Sequence, residues 1–84
     1  MNRRKLLLRL SQGAMQNVRF SEFTSLVEGF GFRLSRTSGS HHVYGHPHVR
    51  ELVNLQEVRG TAKPYQIRQF LRIVERYNLP LEGA

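Results

Sequence analysis

The stretch "PYQIRQFLRIVERYNLP", residues 64–80, constrains the chain most strongly. Ile67, Phe70, Leu71, Val74 and Tyr77 recur at helical spacing, so a helix here must bury one apolar stripe against something else. Pro64 suits its first turn, where a missing N–H is harmless, and Asn78 with Pro80 ends it. A second apolar face lies upstream. Phe23, Leu26, Val27 and Phe30 follow the pattern i, i+3, i+4, i+7; Ser21 offers an N-cap, and Gly29 and Gly31 stop the run. This predicts a helix over 21–28.

Between the two stripes the period changes. "FRLSR", residues 32–36, alternates apolar and polar side chains and predicts a strand, followed by turn chemistry in "TSGS". Residues 40–45 predict a second strand, "GHPHVR" a turn around Pro47, and "ELVNL", residues 51–55, a third strand. Residues 3–10 predict a short extra helix, loosely ended by Gly13. The expected class is therefore α+β in the order α-β-β-β-α, a three-stranded antiparallel meander with helices packed on one face. Residues 1–17 form an N-terminal extension and 18–80 the domain. With 84 residues, one core is expected.

Charge narrows the partners. Thirteen Lys and Arg oppose six acidic residues, a net charge of +7, and eleven of the thirteen are Arg, whose planar fork suits phosphate. By charge alone nucleic acid ranks first among candidate polyanions, an acidic protein second and an anionic membrane third. The longest apolar run near the start is Leu6-Leu7-Leu8, too short for a signal-peptide core or a membrane span. No membrane partner is expected. Cysteine is absent, which is compatible with a reducing cytoplasm, and a cytoplasmic location is expected. Arg68, Arg72 and Arg76 recur every fourth residue and share one strip of the last helix. That strip is either a solvated face or a phosphate contact.

All four histidines lie in "SGSHHVYGHPH", residues 38–48. A metal cluster is disfavoured, because strand alternation sends His41 and His42 to opposite faces and no cysteine or nearby Asp joins them. No metal site and no cofactor is expected. An imidazole titrates near neutrality and can move the protons of RNA cleavage by its own 2′-OH, while Arg and turn N–H groups hold the phosphate. Arg36, Gly39, Ser40 and His41 bring such parts together within "RTSGSH". Exposed histidines after a turn are also common without any chemistry. Spacing defines a region and leaves open which histidine matters and which one faces the helices.

"GFRLSRTSGSHHVYGHP", together with "LVNLQEVRGTAKPYQIRQFLRIVERYNL", resembles the HicA toxins of type II toxin–antitoxin systems over about residues 20–79. The resemblance implies a small double-stranded-RNA-binding-like fold and an endoribonuclease, an mRNA interferase that cleaves mRNA without the ribosome. It also implies a cognate HicB-like antitoxin that covers the active site. The histidine after Gly-Ser is the catalytic one in that family, which maps to His41, with Gly39 and Ser40 as the turn that presents it. His42 becomes an RNA contact, joined by Arg33, Arg36, Arg68, Arg72 and Arg76. Where many members carry a further histidine after the third strand, this chain has Asn54-Leu55-Gln56. A single catalytic histidine is expected. The alternative is a non-catalytic RNA-binding module on the same fold.

Overall fold

The C-terminal helix α3, Pro64–Tyr77, buries Ile67 and Phe70 completely and half-buries Leu71, Val74 and Tyr77, the stripe expected from its spacing. A computed structural model describes residues 2–82 in the order α1 (Arg3–Ser11), α2 (Phe20–Gly29), β1 (Arg33–Ser38), β2 (His41–His46), β3 (Val49–Val58), β4 (Thr61–Ala62) and α3. The strands form one antiparallel sheet ordered β1-β2-β3-β4. This is an α+β plan with the expected α-β-β-β-α order at its centre. The expected three-stranded sheet gains a two-residue fourth strand, because Arg59 and Gly60 both take positive φ and close a tight β3–β4 hairpin.

That hairpin also moves the start of α2. Ser21 was the expected N-cap, yet Arg19 holds that place with extended dihedrals and no side-chain cap bond. Arg19 is bridged to Thr61, the Phe20 N–H donates to Gly60 C=O at 2.8 Å, and the Ala62 N–H donates to Val18 C=O at 2.9 Å. Tertiary pairing, rather than a local cap, fixes where the helix begins. β3 likewise exceeds its expected span of 51–55, because pairing with β2 continues to Gln56 and with β4 to Val58.

The core is aromatic. The Phe70 ring meets Phe23 at 5.5 Å, Phe30 at 5.7 Å and Phe32 at 5.4 Å, all in tilted or edge-on geometry. These four rings join α3, α2 and the entry to β1, and such pairs add about 0.5–1.5 kcal/mol each beyond area burial. α1 belongs to the same core. Leu6 and Leu10 are fully buried in it, and Asn2 caps the helix by accepting the Lys5 N–H at 2.8 Å. Among the described residues, no helix is long and apolar enough to cross a membrane.

Two outcomes follow from this packing. Phe70→Ala should destabilise the protein by about 3–5 kcal/mol in chemical denaturation, a large share of the roughly 5–15 kcal/mol typical of a domain. The second concerns Glu51, whose carboxylate accepts from the Tyr77 hydroxyl at 2.6 Å and pairs with Arg76. Chiefly the Tyr77 bond, with help from its own backbone N–H and Arg76, lowers the Glu51 pKa. A carboxyl depressed in the folded state stabilises the protein above its ordinary value of about 4.3 and loses that contribution as pH falls through the folded value. Thermal melts below about pH 4.3 should therefore decline more steeply for the wild type than for Glu51→Gln.

Candidate nucleic-acid interface

A two-residue turn presents the site. β1 and β2 are joined by Gly39 and Ser40 between the paired residues Ser38 and His41. Gly39 has φ +60 and Ser40 does not have positive φ, the pattern of a type II′ hairpin turn with glycine first. No atom lies within 4 Å of a Cβ built on Gly39, so conformation alone calls for glycine there, and the turn's outer side is open. The Ser40 carbonyl faces inward, accepting the Glu57 N–H at 3.0 Å and His42 Nδ1–H at 3.1 Å.

Strand alternation then sorts the histidines. His42, Tyr44 and His46 face the helices. The His42 ring lies 4.9 Å from Phe20, Tyr44 is buried in the core, and the His46 ring lies 5.0 Å from Phe32. Burial chiefly raises the Tyr44 pKa, so it stays a neutral phenol. His46 Nδ1 accepts the His48 N–H at 3.0 Å across the Pro47 turn. His41 faces the other way and is exposed. Among the described residues, no three His, Cys, Asp or Glu side chains group as metal ligands do.

The register lays out the outer sheet face in rows. Ser38, His41 and Gln56 stand side by side at the turn end, then Arg36, Val43 and Asn54, then Arg33 and Gly45 with Leu52 beside them. Val43 is buried yet lies outside the core cluster, as a side chain on the outer face should. Arg36 is exposed, makes no hydrogen bond or ion pair with another described residue, and stands diagonally from His41, about 7–8 Å between backbones. No row carries a carboxylate. These three rows offer one imidazole, one free guanidinium and neutral amide and hydroxyl groups.

The other cations expected at the site are dispersed. Arg33 curls back, its Nη1 donating to Phe32 C=O at 2.8 Å and Glu28 C=O at 3.4 Å. Arg68, Arg72 and Arg76 are exposed on α3, beyond the β3 edge, with Arg76 held by Glu51. Because Gln66 binds Gln56 while Arg76 binds Glu51, α3 runs antiparallel to β3 and Arg68 lies nearest the His41 end.

Gln66 escaped the sequence reading. It is 8% exposed and its Oε1 accepts the N–H of Gln56, the cross-strand neighbour of His41, at 2.9 Å. Its place four residues before Phe70 put it on the apolar stripe, a signal that it would be buried. Gln66→Leu strands the Gln56 N–H and should cost about 1–3 kcal/mol in chemical denaturation, with faster exchange of the Gln56 amide measured by NMR.

The α-β-β-β-α order, the helix-free outer face and the basic surface define a small α+β protein of double-stranded-RNA-binding-like architecture. A family model described as the HicA toxin of bacterial toxin–antitoxin systems matches residues 20–75, two thirds of the chain. The chain belongs to this family and is a toxin of a toxin–antitoxin system, which implies an antitoxin partner. No curated protein and no solved structure matches it significantly.

Proposed function

We propose that this toxin is a ribosome-independent mRNA endoribonuclease with one catalytic histidine, His41, acting in the cytoplasm and held inactive by a HicB-like antitoxin. The observation that carries the reading is the outward placement of His41. It is the first residue after an open glycine turn, on a face with the unpaired Arg36 and no carboxylate. The other histidines of the segment either pack toward the helices or flank Pro47.

In this mechanism neutral His41 takes the proton from a ribose 2′-OH. The oxygen attacks the adjacent phosphorus, and the P–O5′ bond breaks to leave a 2′,3′-cyclic phosphate. The 5′-oxygen takes a proton from the imidazolium or from water. Arg36 stabilises the charge on the phosphorane, and the Gly39–Ser40 turn lets the phosphate approach the backbone closely. Arg68, nearest the His41 end of α3, adds positive charge for the RNA backbone, a sequence-tolerant role, whereas Arg33 folds back on Phe32 C=O, Arg76 is held by Glu51 and His42 rests on Phe20. The route draws on protein groups and water, without metal or cofactor.

Purified protein should cleave single-stranded RNA in EDTA, and His41→Ala should lower the rate by about 100-fold or more while RNA binding in a filter or anisotropy assay survives. Wild-type protein that binds RNA and never cuts it would instead be the non-catalytic RNA-binding module.

A further inference from the structure

The β3 edge beside α3 is open in its middle and closed at both ends. β3 pairs with β4 only at Glu57 and Val58. Upstream of these its second edge faces α3. The Glu57 N–H reaches Ser40 C=O at 3.0 Å, so ladder alternation turns Val53 and Leu55 toward β2 and their neighbours toward α3. At one end Gln66 accepts the Gln56 N–H at 2.9 Å, and at the other the Tyr77 hydroxyl accepts the Arg50 N–H at 3.4 Å. Between these clamps, Leu52 C=O, Asn54 N–H and Asn54 C=O point into a groove lined by Gln69, Arg72, Ile73 and the Glu51–Arg76 ion pair, and none of these three backbone groups has a partner among the described residues.

We propose that this edge is a docking site for an extended acidic segment of a partner protein, added as a short extra strand. Asn54 N–H and C=O present the paired donor and acceptor that one residue of an added antiparallel strand exchanges. A nucleic-acid backbone offers no such alternating amide pair. Side chains of the added strand alternate between the two sides of the sheet. Those on the outer side meet Leu52, 64% exposed, and those on the groove side meet Arg72. The matching segment therefore alternates apolar and acidic residues. A second copy of this chain fits poorly, because pairing two β3 edges brings together two molecules of net charge +7, each edge carrying the unpaired Arg72 beside an Arg76 already matched by Glu51. The other free edge, β1, is broken by a register shift at Ser35 and lined by Arg33 and Arg36, a form that discourages pairing. β3 pairs regularly from Val53 to Gln56, its register shift lying beyond Val53 toward the Tyr77 end. The inference is independent of the ribonuclease reading.

The test uses the full chain and a blocked synthetic peptide of alternating valine and glutamate, followed by residue-resolved amide hydrogen exchange. Saturating peptide should slow exchange of the Asn54 amide at least ten-fold and shift the Leu52 carbonyl resonance, leaving the Ser38–His41–Gln56 row unchanged. The same peptide N-methylated at alternate amides should lose binding, and Arg72→Glu should weaken the acidic peptide several-fold. Unchanged Asn54 exchange at millimolar peptide overturns the proposal. So does equal binding of the N-methylated peptide, which would mean charge attraction alone. Asn54 protection that grows with protein concentration without peptide, or that a single-stranded RNA produces and the peptide does not, assigns the edge to a second copy or to RNA and likewise overturns it.

Discussion

The packing of one ring, Phe70, against Phe23, Phe30 and Phe32 is the contact on which the rest of the molecule depends. The strands are held laterally by backbone hydrogen bonds, yet nothing in a ladder says which face carries helices. The aromatic cluster decides this. It draws α2 and α3 to one side of the sheet, and Leu6 and Leu10 bring α1 onto the same mass. A domain of this size has little apolar surface to spare, so four fully or nearly buried phenylalanines are a large part of its driving force.

Once the helices occupy one side, alternation assigns every strand side chain. Tyr44, Val53 and Leu55 go inward, which obliges His41, Val43 and Arg36 to go outward. The segregation of histidines is a consequence of the core. His41 reaches solvent because Tyr44, three residues on, belongs to the core, and His42 rests on Phe20 for the same reason. The basic surface around His41 thus comes from the inward demand of apolar residues, with the polar ones left outside.

The last helix does more than cover the sheet. Its first turn offers Gln66 to Gln56, and its last turn offers Tyr77 to Arg50 and Glu51 and Arg76 to Glu51. These side chains replace strand-to-strand bonds at the two ends of an otherwise free edge. They fix α3 in register with β3 and steady the backbone next to His41. Arg76, read from its spacing as part of one uniform basic strip, is already engaged, whereas Arg72 is left to face the groove.

Much of the fold was legible in local patterns. The stripe of α3, the stripe of α2 and the alternation at Phe32–Arg36 each arise from periodicity within a short window, and that periodicity is a property of the sequence itself. The Gly39 turn was equally readable, since glycine chemistry is local. The start of α2 at Phe20 and not after Ser21, the fourth strand, and the burial of Gln66 and its bond to Gln56 were decided by contacts between residues distant in the chain. So was the face on which each histidine stands. By itself, then, the sequence determined the elements, their order, the excess of positive charge and the family. Only the tertiary structure decided which side of each strand meets water, because alternation defines two faces and only the packing of the helices chooses between them.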